Sequence, residues 1–591
     1  MNSVHKPWDE TDLRFAFCFP DTYEVGMSHL GMKILYALIN AEPGMLCERV
    51  FMPWVDMKAL MEEEKVPLFS MESRKPVRDF DIVGFTLQYE MSYSNILAML
   101  QMSGIPLLSS ERGDDMPLVV AGGPCAFNPE PLADFIDMFI LGDGEEVEIE
   151  ICEAVREWKK SGKSRRELLL AMAAIPGCYV PALYDVTYNE DGTLAAFTPN
   201  CPEAPEKVAK RIVVDLDKAF YPTEIPVPYT EIVHDRIMLE IMRGCTRGCR
   251  FCQAGMLYRP VRERSKERLV ELAKALENAT GYEEISLSSL SSGDYTCLAE
   301  LIRELMRELE QQHVSISLPS LRLDSVLKES LNETQKVKKS SLTFAPEAGT
   351  QRLRDVINKG VTEENLMEKV HDAFHDGWSS VKLYFMIGLP TETTEDLDGI
   401  AHLAKKCTDA YFAVPKGQRA KGLRITCSAS SFVPKPFTPF QWEPQDTQEQ
   451  IRSKQAYLRD VLRMKGVHFN WHEPELSLLE ACFARGDRRL GKVLLKAFES
   501  GCYLDGWSEC FDFDKWMKAF DDCGLTTDFY ATRRRDKDEL LPWDFIDAGV
   551  TKSFLWREKE KSDRAETTKD CRKGCNGCGL QRYEGVCGFC K

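Results

Sequence analysis

Residues 244–252 read GCTRGCRFC and set Cys245, Cys249 and Cys252 in a C-x3-C-x2-C spacing inside a loop. Three thiolates this close together have no place in a hydrophobic core. The spacing suits three corners of a cubane iron–sulfur cluster, each Cys holding one iron and the fourth iron left without a protein ligand. An open iron is what a cluster needs in order to bind a small molecule and hand it an electron. Gly244 and Gly248 let the backbone wrap closely round an inorganic core, and Phe251 sits just before the last Cys. A zinc loop would want a fourth Cys or His nearby, and none follows until Cys297.

The 591 residues suffice for about three or four domains, and at 44% hydrophobic they can bury ordinary cores. No apolar run reaches the roughly 18 residues of a membrane span, and MNSVHKPWDETDLR lacks a signal-peptide core. A cytoplasmic protein with no membrane partner is expected. There, 21 cysteines point to metal binding rather than disulfides, and those standing alone read as small buried hydrophobes. A net charge of −18 argues against a protein-wide nucleic-acid surface.

Strand–helix alternation organises two regions. In residues 1–155, LRFAFCFPD, CERVFMP, DFDIVGFTL, PLVVAGGP and DMFILGDGEE read as strands, with helices in MSHLGMKILYALIN and YSNILAML. That pattern gives an α/β, doubly wound, Rossmann-like parallel sheet with its ligand at the carboxyl ends of the strands. Gly26, Gly122, Gly123, Gly142 and Gly144 fall at those ends. Residues 156–232 read as a connector carrying a short strand pair in CYVPALYDVTYNEDGTLAAFTP. From 233 to 442 the alternation resumes through RIMLEIMRGC, EISLSSLSS, VSISLPSL, SLTFAPEAG, SVKLYFMIGLP and LRITCSASSF. Six such units make a partial (βα)6 TIM-type barrel, again with ligands at the strand carboxyl ends.

The cysteine loop at the head of this barrel resembles the signature of the radical S-adenosylmethionine (SAM) superfamily, in which the SAM amine and carboxylate chelate the open iron. PDTYEVGMSHLG, AGGPCAFNPEPLADFID and LGDGEE resemble the cobalamin-binding-type domain that precedes the barrel in one large group of radical SAM proteins. The D-x-H-x-x-G motif that supplies an axial histidine in many cobalamin proteins is missing, since His29 has no Asp two residues before it. Such a domain binds cobalamin without a histidine ligand, or serves to position substrate. Cys18 and Cys125 at two strand ends read as buried thiols, because the third strand end carries Gln88.

The resemblance also assigns the barrel strand ends to SAM. Ser292, Gly293 and Asp294 of SSGD would hold its amine, and Glu347 of PEAG its ribose hydroxyls. Gly388, Leu389 and Pro390 of GLPTE match the adenine-contacting stretch, and Ser428 lies near the sixth strand end. At the third, Ser320 and Arg322 place a guanidinium where it suits a carboxylate.

Residues 443–560 read as mainly helical from the apolar periodicity of LSLLEACFARGDRRLGKVLLKAFESG and FDKWMKAFDDCG. Arg485, Asp487, Arg488 and Arg489 form a polar knot, read more readily as a salt-bridge lock than as a substrate contact. Residues 561–591 end in a Cys-rich tail. Its Cys575, Cys578, Cys587 and Cys590 have the paired C-x2-C spacing of a zinc knuckle. Its Cys571, Cys575 and Cys578 repeat C-x3-C-x2-C and would hold an auxiliary iron–sulfur cluster, with Cys587 or Cys590 as fourth ligand. Of the two, the paired spacing favours zinc.

The whole order resembles a family of cobalamin-binding-domain radical SAM proteins whose function is largely unassigned. It implies reductive SAM cleavage at a 4Fe–4S cluster, a 5′-deoxyadenosyl radical, and a reducing partner such as flavodoxin or ferredoxin. With cobalamin bound, it implies methylation of an unknown substrate, be it RNA, protein or small molecule. The alternatives are cobalamin-independent radical modification, for example methylthiolation of RNA or protein, and a non-catalytic metal-binding adaptor for an RNA or ribosomal partner. An adaptor has no need of PEAG and GLPTE at successive strand ends.

Overall fold

Long apolar runs draw the first 180 residues into one sheet. The computed structural model describes residues 1–309, 312–318, 342–583, 585 and 587–588. Its N-terminal strands are β1 (Leu13–Phe19), β2 (Met45–Phe51), β3 (Ile82–Thr86), β4 (Leu118–Gly122), β5 (Met138–Ile140) and β6 (Cys178–Tyr179), in the order β2-β1-β3-β4-β5-β6. The first five are parallel and β6 closes the edge antiparallel. Strands sandwiched between helices are buried on both faces, which is why β1 and β2 read as continuous rather than alternating apolar runs. Helices Leu30–Ala41, Tyr93–Met102 and Val147–Ser161 connect and cover them. This 2-1-3-4-5 order puts a topological switch point between β1 and β3, where a ligand crevice forms.

The expected strand pair follows as the antiparallel hairpin β7 (Tyr184–Tyr188) and β8 (Leu194–Pro199). Phe197 of β8 stacks on Phe545 with centroids 4.1 Å apart, fastening the hairpin to the C-terminal region.

The barrel strands are Ile237–Glu240, Glu284–Ser288, Ser315–Ser317, Leu342–Glu347, Ser380–Ile387 and Arg424–Ser431. The first three form one parallel sheet and the last three another. Ser320 and Arg322 lie outside the described residues, as does all of 319–341. The second sheet continues past residue 442: Val467–Trp471 adds a further parallel strand beside Arg424–Ser431. Its sequence, VHFNW, alternates apolar and polar residues and turns Val467 and Phe469 to the core, so a period of two was there to be read and was missed.

In the C-terminal region the long apolar stretch is two helices, Pro474–Ala484 and Leu490–Glu499, broken at the polar knot. The knot is a lock. Arg485 is fully buried and donates to the carbonyls of Glu443 and Ala531. Arg488 pairs with Glu130 at 3.0 Å and with the Tyr179 hydroxyl at 3.0 Å, and Arg489 pairs with Asp487 at 2.6 Å. These helices share the core of the N-terminal sheet rather than that of the barrel, with Phe483 edge-on to Tyr93 at 5.9 Å. Among the described residues no helix is long and apolar enough to cross a membrane.

Candidate functional site

The cysteine loop leaves the first barrel strand at Gly244. This residue has φ +89°, and a Cβ there would lie 2.6 Å from the carbonyl oxygens of Tyr258 and Pro260, so only glycine fits. The Cys252 amide donates to Cys249 O at 3.2 Å, and the Cys252 sulfur accepts from the Gly255 amide at 3.3 Å. Desolvation pushes the Cys252 thiol up to about 11, and the neighbouring Cys249 adds to the shift. Cys245 faces a different neighbourhood: it lines a small cavity together with Cys571, Cys575, Cys578, Cys587 and Arg259. Among the described residues no three His, Cys, Asp or Glu side chains form a group that could hold a metal ion. The loop thus brings Cys249 and Cys252 side by side, while Cys245 lines the neighbouring cavity.

Every residue between the cysteines is anchored. Arg250 is fully buried, donates to the carbonyls of Asp355 and Val356 at 3.1 and 2.8 Å, and pairs with Glu558 at 3.2 Å. Asn358 bridges outward, donating to Gly248 O at 3.0 Å and accepting from the Thr568 amide at 2.8 Å. Arg247 meets Asp294 at 2.6 Å and Asp570 at 3.1 Å. On the other side of Gly244, Arg243 pairs with Glu145 at 2.6 Å, Glu240 at 2.9 Å and Asp143 at 3.1 Å, which joins the barrel to the N-terminal domain. Buried ion pairs of this kind fix geometry more than they add stability.

The strand-end residues divide. Glu347 ends its strand at φ +66° and pairs with Lys359 at 3.0 Å, and Lys359 also lies 5.9 Å from the Phe251 ring centroid. Glu347, Phe251 and Lys359 thus gather beside Cys252; Lys359 was not singled out from sequence, since a lysine after a helix end looks like solvent decoration. Leu389 packs in the small core that Phe251 borders, while the Gly388 amide donates to Glu392 at 3.0 Å. Gly349 lets the strand end approach helix Thr394–Ala413 so closely that a Cβ would lie 2.2 Å from Asp396 O. Pro390 is half-buried just past its strand end, whereas Ser428 is half-buried inside strand Arg424–Ser431, paired with Tyr384 and Asn470 rather than at the end. Asp294, expected beside the SAM amine, has its carboxylate engaged by Arg247, by the Ser291 hydroxyl at 2.7 Å and by Arg572 at 2.7 Å. These partners hold it down to about 2 against its own desolvation. The Ser292 hydroxyl turns inward to Leu287 O at 2.9 Å, and Gly293 sits with it in the same short turn.

A cavity of about 390 Å³ opens between the two domains, within the range of cofactor pockets. Its walls are the carboxyl ends of β1, β3, β4 and β5 on one side and Glu240, Met242, Arg243, Gly244, Ser288 and Ser289 on the other. Sequence reasoning placed glycines at this rim but missed Ser288, Ser289 and Glu148. Glu148, on the first turn of helix Val147–Ser161, is buried with Oε2 unpartnered, and desolvation pushes its carboxyl up to about 8. His29 caps helix Leu30–Ala41 by accepting the Met32 amide on Nδ1 at 3.1 Å. Burial lowers its pKa to about 4, so it is neutral and its proton sits on Nε2.

A parallel barrel with three cysteines at the exit of its first strand defines an iron–sulfur enzyme of the radical type. The chain belongs to the radical SAM superfamily, whose enzymes work with a 4Fe–4S cluster and SAM: residues 239–404 match the superfamily model, and residues 31–181 match that of the N-terminal region of radical SAM proteins. Over 511 residues the chain is 29% identical to an uncharacterised protein of Methanocaldococcus jannaschii, spanning 86% of this chain and 97% of that one. It is 22% identical to the ribosomal protein uS12 methylthiotransferase RimO of Caldanaerobacter subterraneus subsp. tengcongensis, over 54% of this chain and 64% of that one. The solved structure of the radical SAM methyltransferase TsrM from Kitasatospora setae, with cobalamin and a [4Fe-4S] cluster bound, aligns at a TM-score of 0.48 and 16% identity. That alignment covers 74% of this chain and 78% of TsrM.

Proposed function

We propose that the chain reductively cleaves SAM at a 4Fe–4S cluster held by Cys245, Cys249 and Cys252, and transfers a methyl group to its substrate with cobalamin bound in the interdomain cavity. The observation that carries this reading is the cavity itself: its walls are the ligand-binding ends of two parallel sheets, and it reaches Gly244, the residue before the first cysteine. The cluster supplies one electron to the SAM sulfonium, and cobalamin, when bound, supplies the methyl group. A protein of the flavodoxin or ferredoxin class is the source of that electron.

The cavity residues suit an amide-rich cofactor. Oε2 of Glu148 is an acceptor with no internal partner and offers itself to a ligand N–H. Gly122, Gly123, Gly142 and Gly144 keep the wall free of side chains. His29 does not offer a lone pair to a metal: Nδ1 is taken by Met32, and Nε2 carries the proton in its bond to Gln88. Cobalamin would therefore be held here by the cavity walls, with His29 serving as a helix cap rather than as a ligand. Glu347 and Lys359 stand beside Cys252, where the ribose and the carboxylate of SAM are to be held.

Methylthiolation, the activity for which the RimO relative is named, fits the N-terminal strand ends less well, because Cys18 and Cys125 are buried core residues and Gln88 donates to Thr86. The test is to purify the protein without oxygen, reconstitute it with hydroxocobalamin, and measure cobalt per chain with the visible corrin spectrum. About one cobalt, with the spectrum of a corrin lacking a protein nitrogen ligand, is expected. No retained cobalt would leave radical chemistry without cobalamin.

A further inference from the structure

We propose that Cys571, Cys575, Cys578 and Cys587 hold a second iron–sulfur cluster against the outer side of the cysteine loop, and that it relays the electron to the first cluster; this rests on the reading of the loop given above. All four thiols line one small cavity, and its fifth thiol is Cys245, the first cysteine of the loop. A single residue would thus form the wall between the two centres.

The tail is fastened to the loop at that wall. The Cys571 amide donates to Thr246 O at 3.1 Å, and the Thr246 hydroxyl donates to Asp570 at 2.9 Å. Arg572 pairs with Asp294 at 2.7 Å, the same carboxylate that holds Arg247 of the loop. Two sulfurs already receive N–H donors: the Asn576 amide approaches Cys571 Sγ at 3.6 Å, and the Gly577 amide approaches Cys575 Sγ at 3.4 Å. Hydrogen bonds to sulfur are among the groups that set a cluster's potential. The Arg259 guanidinium in the same wall offsets the charge of four thiolates.

Zinc on the paired C-x2-C spacing would use Cys575, Cys578, Cys587 and Cys590 and leave Cys571 idle. Yet Cys571 lines the cavity and is the residue the loop grips, and Cys590 lies outside the described residues. A redox-inert ion would also waste the contact with Cys245. A one-electron donor protein of the flavodoxin or ferredoxin class would reduce the tail cluster. The tail cluster returns to its oxidised state by giving that electron to the loop cluster, which passes it to the sulfonium of SAM. One electron moves at each transfer, with no bond changed until the carbon–sulfur bond breaks.

The test uses the full chain, purified without oxygen, in three forms: wild type, Cys575→Ser/Cys578→Ser, and Cys245→Ala/Cys249→Ala/Cys252→Ala. Iron, acid-labile sulfide and zinc are counted, and electron paramagnetic resonance is recorded after reduction. Two four-iron centres give about eight irons in wild type and about four in each variant, with magnetic broadening in wild type that both variants lose. About four irons and one zinc in wild type, with the zinc kept by the loop variant, would overturn the tail cluster. Should the tail variant fold poorly, the wild-type count and the loop variant decide alone. Loop-variant iron equal to wild type would count against the loop reading instead, so the two failures are distinct.

Discussion

Asp294 is where three distant segments meet: the cysteine loop through Arg247, its own strand end through Ser291, and the tail through Arg572. Read in sequence, SSGD offers a carboxylate to a ligand amine, and nothing local says that an arginine 278 residues away takes it. Asp294→Asn should destabilise the loop by about 2 kcal/mol. That is less than the roughly 3–5 kcal/mol of breaking a fully buried pair, because Arg572 keeps part of its side chain in water. Hydrogen exchange of residues 244–252 should speed up by about thirtyfold; unchanged exchange would mean that the network does not hold the loop. Glu148 makes the opposite kind of prediction. Its folded pKa is raised from 4.5 to about 8, so wild type loses stability as pH rises between those values, with a slope of about 1.4 kcal/mol per pH unit. Glu148→Gln removes that slope. Thermal unfolding of the two proteins should agree near pH 4 and diverge in favour of the variant up to about pH 8. Parallel curves would show that Glu148 is solvated or paired.

At the scale of elements, legibility followed burial. β1 and β2 are continuous apolar runs because helices cover both faces, and the six barrel strands carry apolar residues at alternate or successive positions; each announces itself. Val467–Trp471 announces itself more faintly, by five alternating residues of which only Val467 and Phe469 are half-buried. The polar knot from Arg485 to Arg489 marked an interruption in sequence, but not the burial of Arg485, whose guanidinium is satisfied by backbone carbonyls that only the fold brings to it. The tail read in sequence as a metal site, but its place against the loop was illegible, since Thr246, Asn358 and Asp294 become its neighbours only through the fold. Its truncation after residue 570 is therefore not a trimming of a separate module. That chain should hold loop iron about tenfold more weakly or worse, by loss of the supporting contacts, as read by iron retained after desalting. Full retention would make the tail detachable.

Across the whole molecule, the two parallel sheets point their ligand ends at one another over a cavity, and the C-terminal helices are tied to the N-terminal domain through Arg488, which holds Glu130 and Tyr179. Motifs carried the superfamily and the order of the domains. What they did not carry is the seam, because Glu145, Arg243, Glu148 and Ser289 come together from segments that no local pattern connects. Radical chemistry needs such a seam, since the intermediate must be kept from water and offered one bond. Cleavage of SAM at the proposed cluster of Cys245, Cys249 and Cys252 is read by 5′-deoxyadenosine formed from SAM by reconstituted protein with a one-electron reductant. Wild type should form it steadily and stop without reductant, and Cys249→Ser should form none. Equal formation by that variant, or none from iron-loaded wild type, would contradict cleavage at that cluster.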